Sequence, residues 1–469
     1  MSHPAKTSTT PKLEPAIIVI FGITGDLSAR YLLPSLYHLI KDSLLHEQTE
    51  ILGITRGDTT TEELFQKVEL CVNEIDKVCD PDALAAMHEH TQMFQMDLDD
   101  AKAYEKLRQK LDAIEEQKGV CMNRLYYLSI PPQAYLSVIK LLGSADLNDS
   151  CQHNKASTRL LVEKPFGFDT ASAQGLINET SKVFDEGQVF RIDHYVAKET
   201  VQNILVFRFN NPIFEALWDK DHIASIDIAA YGKIGIEGRA LFYEPLGALR
   251  DLIQSHLLQI LAIITMDQPD VLDSEHIHAA KQAALDKVQP VPADQVSELA
   301  VRGQYEGYRD EVKNPNSTTE TYASITVYID SPRWQGVPIN ISTGKALNER
   351  KTEVTVTFHN PPDPNSNRLR FRIQPNEGIE LDLVTKKPGY VQELQTTAMD
   401  FTYLNDFARD GHPSAYERVL VDAVRGDHTL FATSEEVLAS WRVVQPVLDV
   451  WSKQSDDLLA YKQGSGGPV

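Results

Sequence analysis

The sequence predicts two units of different architecture. A doubly wound α/β unit with a mainly parallel sheet covers residues 15–193. A larger α+β unit, with a mainly antiparallel sheet and helices, covers residues 194–461. Three observations carry this reading. The chain has 469 residues, long for one hydrophobic core. Its first part alternates apolar strand-like runs with amphipathic ones, as βαβ units do. After Asp193 that alternation gives way to a long apolar helix and then to strands of alternating apolar and polar residues, the pattern of a half-buried antiparallel sheet. Residues 1–14 and 462–469 read as flexible tails, because neither carries an apolar pattern.

The elements follow in order. PAIIVIFG is a buried strand, and DLSARYLLPSLYHLIKDSL is helical with a kink expected at Pro34. EILGITR is a second strand and TTEELFQKVELCVNEIDKV an amphipathic helix. MFQMD, RLYYLSI, RLLVEK and VFRID are further strands, which makes the first unit Rossmann-like. LGALRDLIQSHLLQILAIIT reads as one long apolar helix. SITVYID, TEVTVTF, RLRFRIQ and GIELDLV are strands, with Ile325, Val327 and Ile329 facing one way and Thr326 and Tyr328 the other. YERVLVDAVRG and SEEVLASWRVVQPVLDVW close the chain as helices.

Composition narrows the function. Sixty-seven acids against 45 bases give a net charge of −22, the wrong sign for a general nucleic-acid binder. An anionic substrate would need a local basic cluster working against that field. No apolar run approaches the length of a membrane span, and the N-terminus has no signal-peptide core. Cys71, Cys79, Cys121 and Cys151 lack metal-site spacing and a disulfide-rich pattern, which suits a reducing cytoplasm.

Chemistry concentrates in a few stretches. IIVIFGITGDLSAR is a strand, a glycine turn and a helix start, where free N–H groups and the positive dipole end can receive a pyrophosphate. Gly22, Thr24, Gly25, Asp26 and Leu27 are the cofactor-binding candidates there; the competing reading is an ordinary βα turn. At the end of the second strand stands Arg56, where NAD-selective sites carry an acid. A guanidinium suits a 2′-phosphate, so NADP is favoured over NAD.

Lys164, before Pro165, ends a strand at the edge where open α/β sheets bind ligands. Asp251 and His256 stand in an otherwise apolar helix, where a histidine is more often a core residue than a catalyst. Lys345, Arg350 and Lys351 cluster in STGKALNERKTEV, as a basic loop or a binding site. The stretch FRIDHYVAKE places His194, Tyr195 and Lys198 at helical-neighbour spacing, a seat for a phosphate, with Asp193 free to orient a histidine. These residues describe an NADP-linked enzyme acting on a phosphorylated molecule.

The ordered set GITGDL, ITR, LVEKPFG, FRIDHY-x-x-KE-x-VQN, IEGR, LRDLIQSHLLQ, RWQGVP, GKALNERK and QPNEG resembles the glucose-6-phosphate dehydrogenase family from about residue 16 to about 450. The resemblance implies oxidation of D-glucose 6-phosphate to 6-phospho-D-glucono-1,5-lactone with NADP, by a homodimer or homotetramer. It implies His256 as catalytic base and Asp193 as its carboxylate partner. His194, Tyr195 and Lys198 would hold the phosphate. Asp251, Lys345, Arg350 and Gln374 would line the sugar site, with Lys164 between sugar and cofactor and Tyr135 against the cofactor. The chain departs from the family pattern at Val196, Ala197, Gly232, Ser255 and Ser342. Two other readings stand beside this one: a dehydrogenase for another sugar phosphate, and a regulatory paralog that binds nucleotide without turnover.

Overall fold

The computed structural model describes residues 12–76, 79–149, 157–359, 367–403, 413–454 and 456–468. The helix expected from TTEELFQKVELCVNEIDKV runs Thr61–Asp76, and its last two expected residues lie outside the described ones. Two compact units emerge. The first holds residues 1–166, 175–194 and 413–432; the second holds 167–174, 195–412 and 433–469. The chain therefore passes between units more often than one cut after Asp193 would have it.

In the first unit, β1 (Ala16–Phe21), β2 (Glu50–Thr55), β3 (Thr91–Gln95), β4 (Asn123–Leu128), β5 (Thr158–Val162) and β6 (Val189–Ile192) form a parallel sheet in the order β6-β5-β4-β1-β2-β3. Every residue of β1, β2 and β4 is buried, as central strands of a sheet covered on both faces must be. The order reverses between β1 and β4, which puts the ligand crevice of such a sheet at the carboxyl ends of those strands. Phe431–Ala432 adds an antiparallel edge to β6. The helix Ala415–Arg425 packs beside β4, and Arg159 reaches its last turn at Ala423 O (2.6 Å) and Val424 O (2.5 Å). These long-range pairings give residues 413–432 to the first unit. The kink expected at Pro34 takes the form of a π-helical turn, Ser28–Leu32, ahead of the α-helix Leu33–Lys41.

The second unit is built on β7 (Ile223–Tyr231), β8 (Val288–Gln289), β9 (Ala300–Tyr305), β10 (Tyr322–Ile329), β11 (Ile339–Gly344), β12 (Lys351–Phe358), β13 (Arg368–Gln374), β14 (Gly378–Lys386) and β15 (Leu394–Thr402). The large sheet runs β15-β14-β13-β12-β7-β11-β10-β9 and ends on Leu458–Tyr461. Most pairs are antiparallel; β7–β11 and the last pair are parallel. Ile325, Val327 and Ile329 are buried while Thr326 and Tyr328 are partly exposed, so the alternation read from sequence sets the face.

Two expectations are corrected here. The C-terminal residues are not a loose tail. Leu458–Tyr461 is a strand beside β9, Gly464 N donates to Ala346 O (2.7 Å), and Asn348 N donates to Ser465 O (2.8 Å). Backbone bonds to Ala346 and Asn348 order this glycine- and serine-rich stretch, and composition alone does not distinguish that from disorder. Among the cysteines, Cys71 and Cys79 are in no disulfide but Cys121 is disulfide-bonded, a bond the spacing did not suggest.

One polar cluster is built into the second unit's interior. Glu436, fully buried, caps its own helix Ser434–Trp451 with Thr433, and it receives Lys281 Nζ at 3.0 Å and His278 Nδ1 at 2.8 Å. Burial pushes the Glu436 carboxyl up, but the Lys281 and His278 charges outweigh it and hold it below the usual range. Lys281→Met should destabilise the protein by about 3–5 kcal/mol at neutral pH, because Glu436 is left buried without its ammonium. Urea unfolding reads this directly. A lowered folded pKa means that the stabilisation is present above the unfolded carboxylate value and is lost as pH falls through the folded one. The gap between parent and variant should therefore narrow in acid, and an unchanged gap would show that the pair is not the source.

Candidate functional site

The first unit carries the nucleotide-side candidates. β1 ends at Gly22, whose φ is +79° and whose N–H donates to Ile54 O across to β2 (3.1 Å). A side chain there would place Cβ 2.3 Å from Ser129 O, so only glycine fits. Gly25 N turns back onto Gly22 O at 2.9 Å. Ser28 Oγ, buried beneath the turn, lies 3.1 Å from Gly22 O and 2.9 Å from Ser129 Oγ. Thr24 and Leu27 are half-buried, and Asp26 is exposed and pairs with Arg30 (2.7 Å). Arg56 is exposed at the carboxyl end of β2, the strand beside β1. The glycine turn is thus closed by its own backbone bonds, and the Arg56 guanidinium stands at the neighbouring strand's end.

Lys164 and Asp193 follow the ends of adjacent strands, β5 and β6. Lys164 is half-buried and Asp193 buried. Between these positions and the core sits Glu163, a residue that the sequence reading passed over. Tyr127 donates to its Oε1 at 2.5 Å, and Tyr416 also hydrogen-bonds it. Burial raises this carboxyl to about 7 against the opposing pull of Tyr127, Lys164 and Tyr416, and the nearby Asp193 charge adds to the rise. The only signal for Glu163 was its place in the EKP motif.

Tyr135 needs correcting. It was expected against the cofactor, but its ring is 1% exposed and its hydroxyl donates to Glu163 O (3.2 Å). Apolar packing has claimed the ring, so its visible role is to support the segment before Lys164.

His194 is half-buried, and its ring lies parallel to that of Tyr416 at 6.1 Å. Residues 194–197 form turns and the helix begins at Glu199, with Lys198 as its N-cap residue. The helical-neighbour spacing expected of His194, Tyr195 and Lys198 is therefore a turn instead, ahead of the helix they were placed on.

The second unit gathers the sugar-side candidates. Lys198 Nζ donates to Gln374 Oε1 (2.7 Å) and lies 5.6 Å from the Tyr195 ring centre. Burial lowers its pKa, with Glu377 pulling it up and Arg350 pushing it down. Two basic groups thus share one neighbourhood in a strongly acidic chain. The Tyr195 ring stacks on His256 at 4.3 Å and 17°.

His256 and Asp251 belong to Leu249–Leu257, which is π-helical and continues as the α-helix Leu258–Thr265. The sequence reading had one uniform helix. Residues five apart lie on different faces of an α-helix, whereas the wider turn of i→i+5 bonding brings them closer together around the axis. Asp251 and His256 are five apart, and both are buried, His256 to 1% exposure. Asp251 Oδ2 receives Lys345 Nζ at 3.3 Å, and that ammonium sits 4.7 Å from the Tyr243 ring centre.

The departures from the family pattern are accommodated locally. Gly232 N donates to Gly344 O (2.8 Å), and a Cβ there would meet nothing closer than 3.8 Å. Ser342 Oγ lies 2.8 Å from Tyr231 OH, and Ser255 Oγ donates to Asp251 O (3.1 Å). Val196 and Ala197 are buried in the turn. Among the described residues no group of acids, histidines and cysteines could hold a metal ion, and no helix is long and apolar enough to cross a membrane.

Comparison with known proteins finds one family over both parts of the chain. Residues 19–203 match the family model for the glucose-6-phosphate dehydrogenase NAD binding domain, and residues 205–469 match that for its C-terminal domain. Glucose-6-phosphate 1-dehydrogenase of Aggregatibacter actinomycetemcomitans is 38% identical over 98% of this chain and 95% of its own length. That of Chlamydia muridarum is 37% identical over the same shares. A solved glucose-6-phosphate dehydrogenase in complex with its substrate glucose-6-phosphate superposes with a TM-score of 0.89 at 32% identity, covering 98% of this chain and 96% of that one. The chain belongs to the glucose-6-phosphate dehydrogenase family.

Proposed function

We propose that this chain oxidises D-glucose 6-phosphate at C1 to 6-phospho-D-glucono-1,5-lactone with NADP as oxidant. The observation that carries this reading is the π-helical segment Leu249–Leu257, which sets Asp251 against Lys345 and stacks His256 on Tyr195. One short segment thereby supplies an imidazole beside Tyr195 and a carboxylate paired with an ammonium group, and Lys198, with Arg350 near it, would supply positive charge for a phosphate.

The nucleotide turn suits the cofactor by its place: a tight glycine turn, closed against Ser129 O, stands between β1 and a helix start at the carboxyl end of the sheet, where doubly wound folds receive a dinucleotide. When bound there, NADP supplies the hydride acceptor. Gly22 and Gly25 would cradle the pyrophosphate, with Thr24, Asp26 and Leu27 completing the turn, and Arg56 would take the 2′-phosphate. Lys198, His194 and Tyr195 would hold the sugar phosphate, with Arg350 and Gln374 beside Lys198. Asp251 and Lys345 would bond sugar hydroxyls, and Lys164 would lie between sugar and cofactor. His256 removes the C1 hydroxyl proton as hydride departs, and Asp193 favours the imidazolium that results. Binding energy at the remote phosphate serves alignment at C1. A cytoplasmic homodimer or homotetramer completes the proposal. The edge strand β15, with Leu394 and Met399 exposed, supports self-association.

Arg56→Ala should weaken NADP by roughly ten- to a hundredfold while leaving NAD nearly unchanged, the loss of one charge-assisted contact. Steady-state kinetics with both cofactors decide it, and equal losses would remove Arg56 from phosphate recognition.

Lys198→Ala should raise KM for glucose 6-phosphate strongly and lower kcat as well, while activity on free glucose changes little. A parallel loss on glucose would show that Lys198 does something other than hold phosphate.

His256→Asn preserves much of the shape but cannot accept a proton at neutral pH. Sugar-phosphate binding by calorimetry should survive, while kcat drops by roughly 10²–10⁴-fold. Asp193→Asn should lower kcat also. Near-parent turnover in His256→Asn would return the residue to a packing role.

A further inference from the structure

We propose that Tyr461, in the segment read from composition as the end of the folded unit, is a positioning residue for Lys345 and so sets affinity for the sugar. The proposal rests on the reading of Lys345 as a sugar contact. Both backbone groups of Lys345 are held from outside its own loop. Its N–H donates to Thr321 O (2.9 Å), and its carbonyl accepts the Tyr461 hydroxyl (2.7 Å). That hydroxyl lies 2.8 Å from Thr321 Oγ1. Since its proton is given to Lys345, it accepts from the threonine, and the two side chains form a directed chain of hydrogen bonds ending on the Lys345 peptide. Tyr461 is 3% exposed and Thr321 is fully buried, so water cannot replace either link.

The next residue shows why such a clamp is needed. Ala346 has φ +53°, a left-handed conformation that costs a side-chain-bearing residue energy and persists only when its surroundings enforce it. They do so with four backbone bonds. Ala346 N donates to Ile234 O, Gly464 N to Ala346 O, Leu347 N to Gly232 O, and Asn348 N to Ser465 O, at 2.7–2.9 Å. Two of the four come from residues just after Tyr461. The strand Leu458–Tyr461 and the turn behind it thus hold the loop that carries Lys345.

The lysine head is fixed from the same cluster. Its ammonium meets Asp251 at 3.3 Å and faces the Tyr243 ring, and Tyr243 packs in one buried group with Tyr305, Tyr308, Ala346, Leu347 and Tyr461. Moving the Lys345 backbone by a few tenths of an ångström would move the ammonium relative to Asp251. Sugar hydroxyls would read that displacement, and the cofactor would not.

The test uses the full chain and five variants, four single and one double. Tyr461→Phe removes one hydroxyl and keeps the ring; KM for glucose 6-phosphate should rise about two- to tenfold with KM for NADP unchanged. Thr321→Val should shift the same constant in the same direction, and it serves if Tyr461→Phe fails to accumulate as folded protein. Tyr308→Phe is the control. It removes another buried hydroxyl of this cluster, one bonded to Glu244 at 2.6 Å, and should leave that KM unchanged. In a Lys345→Ala background, adding Tyr461→Phe should cost nothing further. Equal rises in Tyr461→Phe and Tyr308→Phe, or an additive loss in the double variant, would reduce Tyr461 to general packing. Lys345→Ala raising KM while both Tyr461→Phe and Thr321→Val leave it unchanged would overturn the positioning role alone. An unchanged KM in Lys345→Ala would overturn the sugar-contact reading and this proposal with it.

Discussion

The wide turn of the segment Leu249–Leu257 is the constraint on which the sugar side of the protein depends. A π-helical stretch is intrinsically poor, because its hydrogen-bond geometry is less favourable than that of the α-helix, and it survives only where packing pays the difference. Here the packing is visible. Leu249, Ile253 and Leu257 are fully buried, and every residue of the following Leu258–Thr265 is buried too. The start of the segment is held by Glu320, whose carboxylate accepts Leu249 N (3.0 Å) and whose carbonyl accepts Ala248 N (2.9 Å). Burial raises the Glu320 carboxyl and the Leu249 N–H opposes that rise. An ordinary α-helix in the same place would set Asp251 and His256 farther apart around the axis.

A comparable constraint governs the nucleotide side. The doubly wound sheet delivers Gly22, Arg56, Lys164 and Asp193 at the carboxyl ends of four strands, β1, β2, β5 and β6. What holds Lys164 in place is less regular. Glu163 beside it is buried and bonded by Tyr127 from β4 and by Tyr416 from a segment more than two hundred positions away in sequence. Tyr416 also stacks on Tyr31, in the turn of helix that follows the glycine loop, at 5.2 Å and 23°. One tyrosine therefore ties the helix over the nucleotide turn to the strand ends that carry Lys164 and Asp193.

Charge works against anion binding over most of this molecule, since the chain carries −22 overall. Screening limits that field to about 8 Å at physiological ionic strength. Within such a range local composition decides, and the buried Lys198 ammonium, repelled by Arg350, is harder to keep charged, with Glu377 pulling the other way. A dianionic phosphate relieves that repulsion, so the pair favours a ligand of this kind beyond what either would alone.

The sequence by itself determined the class of both units, because burial periodicity is local: a strand covered on both faces is apolar throughout, and one covered on a single face alternates. It also made the candidate residues legible, since the glycine turn, EKP, RIDHY and the helix with Asp251 and His256 are contiguous motifs. Only the tertiary structure decided the rest. The π turn depends on what Leu249–Leu257 packs against, and no pattern within those nine residues distinguishes it from α-helix. The turn at 194–197, the burial of Tyr135 and the roles of Glu163 and Tyr416 depend on partners brought together by pairing of distant strands. The ordered residues after Leu458 are the clearest case. Glycine, serine and proline look alike in a loose tail and in a close backbone contact, and what separates the two is a partner at Ala346 and Asn348, far away in sequence and adjacent only in the fold.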